Sequence, residues 1–187
     1  MAETRDPQGW MYTHSGKQYW PLDPRAEDIC IEDIAHALSN QCRYAGHTNY
    51  FYSVAEHCVL VSLMVPPELA FEGLLHDATE AYLSDVVRPF KRGLLDYKHW
   101  ERVNDACLRE RFHLPPTEHP LVKQADNNIL QTEYRALMRP FPDHLLSAIP
   151  GTFDPSVRLF LWPPVQANIA FLNRYQALVR ERGIRNS

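Results

Sequence analysis

Apolar residues recur every three to four positions along most of the chain, the spacing of helices with one buried face. Ile29, Ile31, Ile34, Ala35 and Leu38 predict a helix over 27–38, with acidic residues near its start. Phe51, Val54, Ala55, Cys58, Val59 and Leu63 predict another over about 50–65, capped by Thr48 or Asn49. Pro66-Pro67 opens a third over 67–82, because proline is tolerated in a first turn. Pro89 limits any helix in 83–93. Leu94–Phe112 and Leu121–Met138 are amphipathic, and 113–120 between them reads as a loop. A last helix runs from Pro164 to about Arg182, with Ile169, Phe171, Leu172, Tyr175 and Leu178 on its apolar side. Two segments depart from this period. GWMYTHSGKQYW (9–20) flanks a polar turn with aromatics and predicts a short β-hairpin. Residues 139–164 carry Pro140, Pro142, Pro150, Pro155, Pro163 and Pro164 without periodicity, and predict an ordered excursion or a lid. The expectation is an all-α fold with a short N-terminal hairpin. It is read as one domain over 1–187, with a core at about 27–138, the proline-rich excursion and a C-terminal helix at 164–182.

Charge and composition then narrow the function classes. The formal net charge is −4, so no basic excess marks duplex nucleic acid as a ligand. The longest apolar run, Cys58–Pro67, is broken by Ser62 and is too short to span a bilayer. The first ten residues lack the pattern of a signal peptide. The four cysteines show no CxxC or zinc-finger spacing, and are read as free buried thiols of a cytoplasmic protein. Nine His against seven Gly favour side-chain or metal chemistry over glycine-rich phosphate loops.

The chemistry concentrates in 55–58 and 73–85. His76 and Asp77 are adjacent in a helical segment, and Glu80 follows on the same side one turn later. Three polar groups on an otherwise apolar helix need a partner, since burying them unpaired costs several kcal/mol, roughly. A metal ion satisfies them. His57 from the preceding helix and Asp126 from Val122–Asp126 complete a ligand set of His57, His76, Asp77 and Asp126. Imidazole and carboxylate without thiolate suit Mn, Co, Fe, Zn or Mg. Taken alone, the His76-Asp77 pair reads more readily as a surface ion pair.

The order His57…His76-Asp77…Asp126 resembles the HD-domain metal-dependent phosphohydrolases. The segments AEH (55–57), HDATEAYLSD (76–85), PFKR (89–92) and VKQAD (122–126) are similar to the small bacterial 5′-deoxynucleotidases and to phage deoxynucleoside triphosphohydrolases, those acting on dATP included. The likeness runs from about residue 27 to 135. It implies an all-helical fold holding one divalent ion (Co²⁺, Mn²⁺, Zn²⁺ or Mg²⁺). Glu80 and Asp85 become acidic helpers to water and leaving oxygen, Arg43 a phosphate contact and Tyr44 a base-stacking aromatic. Arg43 lies one residue nearer His57 than in the nucleotidase pattern. Lys91 and Lys123 match basic positions, and Arg88 and Arg92 add charge that favours a triphosphate. A small-molecule nucleotide is the implied substrate, with a dimer or larger homo-oligomer as the assembly. Hydrolysis of monophosphates and a non-catalytic nucleotide sensor are the alternatives.

Overall fold

The computed structural model describes residues 5–183; the first four residues of the N-terminal segment read above lie outside them, as do 184–187. An antiparallel hairpin, β1 (Met11–Tyr12) and β2 (Gln18–Tyr19), pairs Met11 with Tyr19 and Tyr12 with Gln18. Tyr19 is fully buried and stacks on Tyr82 with ring centroids 3.8 Å apart. Its hydroxyl donates to Asn104 Oδ1 at 2.5 Å, so the hairpin is anchored to the helical body. The other regular elements among the described residues are helical: α1 (Ile31–Asn40), α2 (Val54–Met64), α3 (Ala70–Leu75), α4 (Glu80–Leu83), α5 (Arg88–Lys91), α6 (Leu95–Arg111), α7 (Pro120–Leu137) and α8 (Pro164–Glu181), with short 3-10 turns between.

Helix α2 is the central rod. Every residue from Val54 to Ser62 is buried, and α1, α3, α7 and α8 pack around it. A helix buried on all sides belongs to the core, so Glu56 and His57 must find partners there. Ser53 caps it, its Oγ accepting from Glu56 N–H at 3.1 Å. The cap expected at Thr48 or Asn49 is not used. Residues around it are tied to other strands of chain instead: Asn49 N–H donates to Leu137 O at 2.8 Å, and Arg43 N–H to Tyr52 O at 2.9 Å.

Two predicted helices are corrected. The first begins at Ile31, after a 3-10 turn at Ala26–Asp28 and an extended break at Ile29–Cys30. Ile29 is buried within that break, which is why its spacing read as helical. The helix expected over 67–82 divides into a 3-10 turn at Pro67–Leu69, α3 and α4. Between Leu75 and Tyr82 the bonds tighten to i→i+3: Ala78 N–H to Leu75 O, Glu80 N–H to Asp77 O and Tyr82 N–H to Thr79 O, each 3.0 Å. Ser84, at φ +67, ends α4 and turns the chain. Leu63 and Ile169, placed on apolar faces by spacing, are 57% and 54% exposed. Of the four cysteines only Cys58 is buried; Cys30, Cys42 and Cys107 are half-buried free thiols.

Residues 139–163 form an ordered strap docked along α7 and α2. Phe141 packs edge-on against Tyr134, with centroids 4.9 Å apart. Gln131 Nε2 donates to Ile149 O at 2.7 Å and Leu146 O at 3.2 Å. Asn128 Oδ1 accepts from Thr152 N–H at 2.8 Å, and the Arg135 guanidinium sits 4.4 Å over the Phe153 ring. Gly151, at φ +88, lies so close to α7 that a Cβ there would meet Asn127 O at 2.2 Å. At the far end, the Glu56 carboxylate accepts from the N–H groups of Phe160, Leu161 and Trp162 at 2.6, 2.9 and 2.7 Å. No helix among the described residues is long and apolar enough to cross a membrane.

Candidate metal centre and substrate pocket

Four side chains from three parts of the fold converge. His57 comes from the second turn of α2, His76 and Asp77 from the tightened turn after α3, and Asp126 from the second turn of α7. One ligand atom from each lies within 4.8 Å of all the others. His57 Nε2 is 3.2 Å from His76 Nε2, 3.3 Å from Asp126 Oδ1 and 3.5 Å from Asp77 Oδ2. His76 Nε2 is 3.2 Å from Asp77 Oδ2. The sequence-predicted set is thus one cluster. The tightened turn carries both of its middle residues into it.

The outer atoms of these residues are already engaged. His76 Nδ1 donates to Gly73 O at 2.8 Å; a carbonyl only accepts, so the proton sits on Nδ1 and Nε2 turns inward. His57 Nδ1 meets Glu133 Oε1 at 2.7 Å. Asp126 keeps Oδ1 toward the cluster, while its Oδ2 accepts from Lys123 Nζ at 2.7 Å and Arg88 Nη2 at 2.9 Å. Metal-binding imidazoles and carboxylates are commonly held this way by their remote atoms. The donor set, two Nε2 and two carboxylate oxygens, fits a divalent ion of the borderline or hard class.

The electrostatics agree with that fit. Burial alone would lower the His76 pKa, yet the Asp77 carboxylate raises it well above the ordinary imidazole value. Burial would raise Asp77 and Asp126, but His76 holds Asp77 low, and His57, His76 and Lys123 hold Asp126 low. Both carboxylates are therefore held ionised, the form that can accept a cation.

Beside the centre lies a cavity of about 670 Å³. Every other predicted site residue lines it: Glu80, Asp85, Arg43, Tyr44, Arg88, Lys91, Arg92 and Lys123. Glu80 is buried and its Oε2 has no hydrogen-bond partner. Burial, with the charges of Asp77 and Asp85, pushes its pKa well above the carboxylate range. Burial also raises Asp85, whose backbone N–H is fixed by Gln41 Oε1 at 3.0 Å. Arg43 is buried 3.6 Å from Asp77 Oδ2 and 3.3 Å from Glu133 Oε2. The Tyr44 hydroxyl donates to Glu133, and its ring meets Tyr134 edge-on at 5.3 Å. Three of the cations counted toward a triphosphate have partners within the chain, Arg88 and Lys123 with Asp126 and Lys91 with Glu101. A larger hollow of about 790 Å³, lined by Leu60, Met64, Leu121 and Phe160 among others, holds none of these side chains.

Sequence reading missed Glu133, which is fully buried and touches His57, Arg43 and Tyr44 at once. The signal was present: Glu133 stands seven residues after Asp126, two helical turns along the same stripe as Ile129 and Leu137. It also missed Glu56 as the anchor of the strap.

No family model matches the chain. The chain is 53% identical over 125 residues, 67% of its length and 70% of the relative's, to the uncharacterized protein YfdR of Escherichia coli (strain K12). It is 32% identical over 193 aligned positions, covering 92% of this chain and 97% of the relative, to the uncharacterized protein RCAP_rcc00048 of Rhodobacter capsulatus.

Proposed function

The chain belongs to the family of YfdR and RCAP_rcc00048, and from its site we propose that it is a divalent-metal-dependent phosphohydrolase of deoxynucleotides. The observation that carries this reading is the convergence of His57 Nε2, His76 Nε2, Asp77 and Asp126 within 4.8 Å, at the edge of a pocket bearing further carboxylates and cations. His57, His76, Asp77 and Asp126 hold the ion. When bound, it polarises the phosphoryl oxygen and lowers the pKa of an adjacent water.

The chain's own groups do the rest. Glu80 and Asp85 share the proton transfers: one orients the attacking water and takes its proton, the other protonates the leaving 5′ oxygen. Both pKa values are raised, which makes each carboxyl a better proton carrier than an ordinary exposed carboxylate. Arg43, Arg92 and Lys123 supply charge to the phosphate oxygens. Attack at the phosphorus bonded to O5′ releases deoxynucleoside, together with triphosphate from a dNTP or phosphate from a dNMP. The cluster of Arg88, Lys91, Arg92 and Lys123 favours the triphosphate. The pairing of Arg88 and Lys123 with Asp126 and of Lys91 with Glu101 is the observation that favours a 5′-deoxynucleotidase.

The test is a product assay on chelator-stripped protein with Co²⁺, Mn²⁺, Mg²⁺ or Zn²⁺ and the full set of dNTPs and dNMPs, resolved by ion-exchange chromatography. Deoxynucleoside plus triphosphate supports the first reading, and turnover of monophosphates alone the second. Bound metal without turnover rejects catalysis in favour of a nucleotide sensor. Asp77→Asn abolishes turnover; unchanged turnover in that variant rejects the site.

A further inference from the structure

The pocket changes character along α7. Lys123 and Asp126 lie at one end. Leu130, Tyr134 and Met138 follow at successive turns and line the same cavity. From Asp126 to Tyr134 is eight residues, about 12 Å along the axis. Against this apolar row stand Ala148, Ile149 and Pro150 of the strap. These three are not loosely placed. Gln131, itself buried, grips Ile149 O through Nε2 while its Oε1 accepts from Arg135 at 2.6 Å. Immediately after Pro150, Gly151 presses its backbone onto Asn127. Asn127, Asn128, Gln131, Tyr134 and Arg135 form one stripe of α7 that binds the strap, while Asp126, Ile129, Glu133 and Leu137 face the core. A phosphate group has no use for an apolar wall held this firmly. A phosphoester whose alcohol half carries a flat ring with apolar faces does.

We propose that Ala148–Pro150 is the specificity-determining wall of the pocket, packed against the non-phosphate half of the substrate. Gln131 and Gly151 are positioning residues that set its distance from α7. The proposal rests on the phosphoester reading of the site, but its test separates the two. Full-length wild-type protein, Ala148→Trp and Gln131→Ala are titrated calorimetrically in Co²⁺ with inorganic phosphate and with each deoxynucleoside monophosphate. The readout is the ratio of the two affinities, which a general loss of structure would not change selectively.

Wild type binds at least one monophosphate about tenfold or more tighter than phosphate. Ala148→Trp, at an exposed position that tolerates bulk, removes most of that preference by filling the pocket. Gln131→Ala weakens it by releasing the wall. A wild-type ratio near one overturns the proposal, as does an unchanged ratio in Ala148→Trp. A preserved ratio in a protein that hydrolyses no nucleotide with any metal leaves the wall standing and rejects the phosphohydrolase.

Discussion

Glu133 grips the back of His57: Oε1 lies 2.7 Å from Nδ1, in a position with no access to solvent. The contact fixes the ring so that Nε2 faces His76, Asp77 and Asp126. Loss of such a contact typically costs 10–100-fold, roughly, in metal affinity. Glu133→Ala is therefore expected to weaken Co²⁺ binding by about that factor in a chelator competition. Glu133→Gln, which still offers an acceptor, loses less. Equal affinity in wild type and Glu133→Ala refutes the assignment.

The same carboxylate makes stability depend on acid. Burial alone would raise its pKa, but the Arg43 guanidinium and His57 bring it from an ordinary 4.5 to about 2. A group depressed by folding contributes fully above its unfolded pKa and loses that contribution as pH falls through the folded one. The Tm gap between wild type and Glu133→Gln is expected to be constant above about pH 4.5 and to shrink toward pH 2. A gap independent of pH across that window contradicts it.

Glu80 lines the pocket outside the four-ligand cluster. Glu80→Ala is expected to retain bound metal, measured by elemental analysis, and to lose about 10²–10⁴-fold in kcat. If metal content falls as far as rate, Glu80 is a ligand or a structural residue instead.

Glu56 holds three backbone N–H groups of the strap at 2.6–2.9 Å. Charge-assisted bonds of this kind contribute about 1.5–3 kcal/mol each in favourable cases, and the freed N–H groups regain water at the surface. Glu56→Ala is expected to destabilise the protein by about 2–3 kcal/mol, lowering Tm by roughly 4–12 °C. Limited proteolysis should then cut first within 139–163. Protection of that segment equal to wild type argues against its tether.

Ala45 sits at φ +51 between Tyr44 at φ +58 and Gly46 at φ +78. A left-handed alanine costs roughly 1–2 kcal/mol. Ala45→Gly relieves this and gives back part through unfolded-chain entropy. The net expectation is a gain of about 0.5–1 kcal/mol, a Tm rise of roughly 1–4 °C by calorimetry. A fall in Tm shows that the backbone there is not strained.

The four candidate ligands were legible because His76-Asp77 is one dipeptide, His57 interrupts a strongly apolar helix, and their order with Asp126 resembles a known pattern. Glu133 was less legible because a buried glutamate is recognised only by its partners, which lie 76 and 90 positions away. The break between α3 and α4 left no mark in the pattern, since Leu74, Ala78 and Tyr82 fit a continuous helix as well as a tightened one. The strap was legible only as a lack of period. Its order comes from side chains on other helices, Glu56 and Gln131 above all, reaching its backbone, and no local spacing encodes that.

Helix α7 carries Asp126 on one stripe and the strap on another. Any coupling between the two through this helix is reciprocal. Any molecule that binds against the strap and thereby sharpens the cation's affinity is itself bound more tightly, by the same factor, once the cation is present. The order in which the two arrive is then a matter of concentration, not of architecture.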